Sequence, residues 1–219
     1  AILRSHPTLL SRSVRFNAEA DSLNAAILGP AATPDTTEFD LFTTEVVREM
    51  TVKAGQKCTA IRRALVPASQ IDTMAEALAS ALAEIRVGNP ADEATTMGAL
   101  AGTTQREEVR GAVMGLRSAT NVVVDTCTFH DVDPDVGAFL APTLLRATDA
   151  NARSIHTTEA FGPVCTLVGY DDLDDAVRRI QRVAATLESE SALRPAEEAV
   201  LADRPEWACP IGLSLFREP

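Results

Sequence analysis

The chemistry that can be read from this chain rests on a few cysteines, carboxylates and one aromatic ring. Cys58 lies in TVKAGQKCTAIRRALVP, where Gly55 relaxes the backbone behind a helical pattern and an apolar run follows. Such a junction can present a thiol at a rigid edge. Sulfur attacks a carbonyl carbon well even at modest thiolate fraction; Lys53 and Lys57 either favour the thiolate or point into water. By spacing alone, a buried or incidental cysteine is the simpler reading of Cys58. Glu19, in VRFNAEADSLNAAIL, precedes an apolar strand and could stand at its mouth as a general base. Taken alone, it reads more simply as a solvated carboxylate beside Asp21. In TTEAFGPVCTLVGY, Glu159 and Phe161 flank Ala160, and Gly162 with Pro163 fixes the bend. One loop could thus hold a carboxylate for a ribose and a ring for a planar group, or Phe161 could simply fill the core.

Other candidates carry less. His6, His130 and His156 show no metal-ligand pairing and are expected on the surface or in loops, so no metal site is assigned. Cys165, two residues after Pro163 in an apolar run, reads as a packed thiol. The stretch DDLDDAV reads as helix capping with a wet face and lacks the oxygen spacing of a calcium loop.

Positioning these groups requires strands and helices in alternation. SLNAAIL before Gly29 and Pro30 suits a short strand running into a turn. Phe39, Phe42, Val46 and Met50 fall on one helical face, with Thr36 or Thr37 as cap and Gly55 as stop. Ile61 to Val66 reads as a strand, and Ile71, Met74, Ala75, Leu78, Leu82 and Ile85 mark a second helix capped by Ser69. RVGNPADEATTMGALAG is expected as an ordered loop. A third helix carries Val109, Val113 and Leu116, and Val122 to Val124 supplies a strand. A loop then holds Pro134 and Gly137, followed by a strand at Val164 to Val168 and a last helix with Leu173, Val177 and Ile180 on its apolar face. This alternation predicts an α/β layered sheet with flanking helices. Residues 1–180 form the expected structured part. Residues 181–219, with Pro195, Pro205, Pro210 and Pro219, are expected as an atypical, weakly packed tail.

Composition narrows the class further. The 219 residues, 46% of them hydrophobic, suffice for a core, and the net charge of −11 opposes the positive surface that nucleic acid or anionic lipid requires. No run approaches the ~18 apolar residues of a membrane span. The four cysteines follow neither zinc nor disulfide spacing, which points to reduced thiols and a cytoplasmic setting. Neither a dinucleotide-type glycine fingerprint nor a phosphate loop is present.

Together these pieces resemble the aldehyde dehydrogenase superfamily. Gly55, Gln56, Lys57 and Cys58 look like its nucleophile segment, Glu19 and Asn24 like its general-base strand, Glu159 to Pro163 like its Glu-x-Phe-Gly-Pro loop, and VGNPADEATTMGAL like its connecting loop. FNAEADSLNAAILG and VVREMTVKAGQKCTAIRRALVP are more narrowly similar to the aldehyde dehydrogenase part of bacterial phenylacetate-degradation enzymes, which act after opening of an oxepin ring carried on coenzyme A. Asp21, Ser22 and Leu23 occupy a stretch where most of the family has Gly-Gly-Lys.

The resemblance implies the catalytic domain of that fold with the nucleotide-binding half missing. It also implies NAD or NADP as cofactor, an aldehyde substrate, free or CoA-linked, and a homo-oligomeric parent enzyme. Cys58 would be the nucleophile and Glu19 the base that activates water, with Glu159 at the nicotinamide ribose and Phe161 near the ring. The chain alone would then have little or no activity. The competing expectations are a CoA-acylating dehydrogenase or thiol acyltransferase using the same cysteine, and a noncatalytic α/β interaction module.

Overall fold

The alternating apolar pattern is realised as a sheet covered on both faces. The computed structural model describes residues 6–12, 22–190 and 213–215. After a short helix α1 (Pro7–Ser11), the order is β1 (Asn24–Ile27), α2 (Thr37–Thr51), β2 (Ile61–Pro67), α3 (Ile71–Ala83), β3 (Arg86–Gly88), α4 (Thr103–Leu116), β4 (Thr120–Val124), β5 (Thr128–His130), β6 (Thr143–Ala147), α5 (Arg153–Thr157), β7 (Val164–Tyr170), α6 (Leu173–Glu190) and β8 (Leu213–Leu215). The main sheet has the strand order β4-β6-β7-β2-β1-β8. Every pairing in it is parallel except β4 with β6. β3 and β5 form a separate parallel pair.

Side chains on a strand alternate between faces, so adjacent residues serve different cores. Ala26, Ala64, Val66, Leu144, Cys165 and Leu167 meet Phe39, Phe42, Val46 and Met50 of α2 and Met74, Leu78 and Leu82 of α3. On the other face Ala25, Ile27, Leu65, Leu145, Val164 and Val168 meet Val109 and Leu116 of α4, Ile155 of α5, and Ala176 and Ile180 of α6. This is the expected α/β layering, and β2 at its centre is buried along its whole length. Thr36 caps α2: its backbone is extended and its Oγ1 accepts from the Phe39 N–H at 3.4 Å.

Several local expectations are corrected. α3 does not start on a Ser69 cap; the chain passes through a 3-10 turn at Ala68–Gln70 and enters the helix at Gln70 with no side-chain cap. Part of the expected 86–102 loop is strand, because Val87 is fully buried and Gly88 pairs with His130. β5 and β6 carry too few residues of clear alternation to announce themselves. On α6 the buried face is set by Ala176, Arg179 and Ile180, while Leu173 and Val177 stay about half exposed. Of the expected apolar face only Ile180 is buried, and the small Ala176 joins it in the core on that side of the sheet. That helix continues to Glu190, and β8 lies parallel to β1 at the edge of the sheet.

Candidate active site

The amino ends of β1, β2 and β7 lie side by side in the sheet, and the loops entering them carry the candidate groups. α2 ends at Thr51 and passes into a turn, Val52–Gly55, in which Lys53 (φ 56°), Ala54 (φ 51°) and Gly55 (φ 69°) are all left-handed. Such a conformation is costly for lysine and alanine and persists only where surrounding contacts over-determine it. Gln56 supplies two, with its Oε1 accepting from the Ala101 N–H at 2.9 Å and its Nε2 donating to the Lys53 carbonyl at 3.0 Å. Cys58 follows in an exposed turn closed by the Ala60 N–H donating to the Lys57 carbonyl at 3.2 Å. Lys57 is committed elsewhere: its Nζ lies 2.6 Å from Glu49 Oε1, with both side chains largely covered.

The start of β1 reaches this turn directly. Asn24 Nδ2 donates to the Cys58 carbonyl at 2.5 Å and to the Ala60 carbonyl at 3.4 Å. Two residues earlier, the Ser22 N–H and Oγ donate to the two carboxylate oxygens of Glu159 at 3.3 and 2.9 Å. Glu159 and Phe161 are both half-buried on the loop entering β7, and Gln105 of α4 donates to the Phe161 carbonyl at 3.2 Å. The start of β1, through Ser22 and Asn24, is thus tied to both loops. Glu19, the expected base, lies outside the described residues, as does Cys209. The structure therefore brings Cys58, Glu159 and Phe161 to one end of the sheet.

Two residues escaped the sequence reading. Arg62 and Arg63 are 4% and 2% exposed, inside a strand of otherwise apolar residues. The signal was available, since charged residues are buried only when partnered. Arg62 donates from Nη1 to the Gly162 carbonyl at 2.6 Å and from Nη2 to the Gly55 carbonyl at 2.7 Å, with its guanidinium 5.4 Å from the Phe161 ring centre. Arg63 donates to the Leu23 carbonyl at 2.9 Å, and its Nη1 lies 2.9 Å from His156 Nδ1. An arginine only donates, so Nδ1 accepts, and His156 Nε2 is left to donate to the Ala150 carbonyl at 2.9 Å. Burial lowers the pKa of both guanidinium groups, that of Arg63 to about 10.

His156 is thereby a correction: it is 3% exposed within α5, because a buried arginine needs an acceptor there. His130 is also not isolated. At the end of β5 its Nδ1 lies 3.2 Å from Asp92 Oδ2, and with Asp131 these form a group whose potential ligand atoms lie within 4.8 Å of one another. Cys165 is packed as expected, and burial pushes its thiol up to about 12. Among the described residues, no helix is long and apolar enough to cross a membrane.

Comparison with known proteins places this geometry. The model of the aldehyde dehydrogenase family matches residues 11–191. A 3,4-dehydroadipyl-CoA semialdehyde dehydrogenase of Aromatoleum evansii is 48% identical over 186 residues, covering 83% of this chain and 36% of that protein. An apo betaine aldehyde dehydrogenase variant of Staphylococcus aureus, solved with a BME-modified cysteine, superposes with a TM-score of 0.65 at 26% identity over 74% of this chain and 31% of that one. An aldehyde dehydrogenase C variant of Pseudomonas syringae, solved with NAD+ and octanal, gives a TM-score of 0.59 at 25% identity over 73% of this chain and 31% of that one. The chain spans about a third of the length of these relatives.

Proposed function

Because the chain belongs to the aldehyde dehydrogenase family, we propose that it supplies the catalytic part of an NAD(P)-dependent oxidoreductase that converts an aldehyde to the acid. The observation that carries this reading is the convergence of Cys58, Glu159 and Phe161 on one end of the sheet, tied together through Ser22 and Asn24. Convergence fixes the reacting groups relative to one another, which is where much of the catalytic free energy originates.

The Cys58 thiolate, on an exposed turn, attacks the carbonyl carbon to give a thiohemiacetal whose oxyanion the Cys58 N–H would stabilise. NAD(P), when bound, supplies the hydride acceptor that turns this adduct into a thioester. The two oxygens of Glu159 and the half-buried ring of Phe161 fit a ribose and a planar ring, and the Ser22 bonds hold the carboxylate at the loop's surface. Glu19 takes a proton from water, the resulting hydroxide attacks the thioester carbonyl, and the acid leaves as the thiolate is regenerated.

For the substrate we propose a CoA-linked semialdehyde of the kind named for the Aromatoleum relative, in the setting of phenylacetate degradation in the cytoplasm. The parent enzyme is proposed to be a homo-oligomer. Residues 1–180 are proposed as the catalytic-domain part and 181–219 as a weakly packed tail. This chain by itself is expected to turn over little or no substrate, because it matches only about a third of the length of its relatives.

The test is made in the enzyme that contains this chain. Cys58→Ala should abolish NAD(P)H formation, and retained turnover would overturn the reading. Glu19→Gln should let the acyl adduct accumulate on Cys58, visible as added mass on its peptide. Release of that adduct to coenzyme A at the wild-type rate would identify an acylating enzyme instead.

A further inference from the structure

We infer that Arg62 is a positioning residue whose guanidinium ties the turn carrying Cys58 to the loop carrying Glu159 and Phe161. The roles of those loops rest on the function proposed above; the link between them is read from the fold alone. Arg62 owes its direction to an irregularity in the sheet. Asn24 and Ala25 are consecutive in β1, yet they pair with Ile61 and Arg63, which leaves Arg62 as an extra residue in β2. A bulge of this kind bends its strand and re-aims one side chain, and here it lies beside the candidate site.

The re-aimed fork meets carbonyls from two separate loops. Nη1 takes Gly162, while Nη2 takes Gly55 and, at 3.4 Å, Lys57, the residue before Cys58. The two loops are also in backbone contact, since a Cβ added to Gly55 would stand 2.1 Å from the Gly162 carbonyl oxygen. No side chain fits between them, so the connection must come from beside the contact, where Arg62 lies with its guanidinium over the Phe161 ring. The left-handed Lys53–Gly55 turn needs an external anchor, and the bond to the Gly55 carbonyl is one. A planar fork spans two carbonyls at once; a single ammonium on a flexible stem does not.

The test compares the wild-type chain with Arg62→Met and Arg62→Lys. Deuterium uptake is measured by mass spectrometry over residues 53–60 and 159–163, together with the rate of iodoacetamide modification at Cys58 and Cys127. Both loop segments should take up deuterium several-fold faster in the two variants, and the rate at Cys58 should change several-fold while that at Cys127 holds. If Arg62→Met does not fold, Arg62→Lys, which keeps charge and stem, decides the matter. Wild-type behaviour of Arg62→Lys, or loosening of one loop without the other in Arg62→Met, would overturn the inference. Loops that loosen together in an enzyme lacking Cys58-dependent oxidation would uphold the link while removing the proposed function.

Discussion

At the level of single residues, the three described cysteines are separated by their surroundings rather than by their sequence neighbourhoods. Cys58 is exposed in a turn, Cys127 is half-buried with its thiol pushed up to about 11, and Cys165 is sealed between β2 and β6 with its thiol pushed up to about 12. In both raised cases the cause is burial, which penalises the thiolate. Iodoacetamide at pH 8 should therefore modify Cys58 first, Cys127 more slowly, and Cys165 only after denaturation. Peptide mass mapping checks the order, and labelling of Cys165 alongside Cys58 in the folded chain would contradict the packing described. The motif around Cys58 was legible because glycine and an apolar run bracket it. The contacts of the buried arginines four and five residues on were not, because nothing local says which carbonyls a long side chain will reach.

Among the elements, α6 shows how a local signal gains its strength from structure. Asp172 accepts from the Asp175 N–H at 2.7 Å, and Asp175 in return accepts from the Asp171 N–H at 3.2 Å, which closes the start of the helix. Asp175 also accepts from Arg179 Nε at 2.9 Å, one turn on. Burial alone would raise the Asp175 pKa, but the bonds from Arg179 and the Asp171 N–H outweigh it and hold the carboxyl below its ordinary value. A depressed folded pKa adds stability above the unfolded value of about 3.9 and loses it as pH falls through the folded value. Asp175→Asn should cost about 1–2 kcal/mol near neutral pH. Its melting temperature should approach that of the wild type as the pH drops below about 4. Melting curves that stay parallel down to pH 2 would remove Asp175 from this role. The capping aspartates were readable in DDLDDAV; the partner Arg179 and the true buried face were set by where the helix docks.

Over the whole molecule, the site depends on the register of three parallel strands. β2 is flanked by β1 and β7, and Leu65 in its middle is fully buried against α4, α5 and α6. Removing most of that side chain leaves a cavity that close-packed neighbours fill only in part. Leu65→Ala should lower the unfolding free energy by about 3 kcal/mol, measured by urea titration. A loss below about 1 kcal/mol would mean that β2 is not the centre of the core.

The amino-acid sequence by itself determined the alternation of strands and helices, the α/β class, the faces of α2 and α3, and the family to which the chain belongs. These depend on periodicity and on short contiguous motifs, which act over a few residues. Tertiary structure alone decided that Ser22 and Asn24 reach loops 137 and 34 residues away, that a bulge turns Arg62 toward two backbone carbonyls, and that His156 is buried to accept from Arg63. Each of these is a hydrogen bond between parts of the chain that only the order of strands in the sheet makes neighbours, and that order follows from packing both faces at once rather than from any local preference.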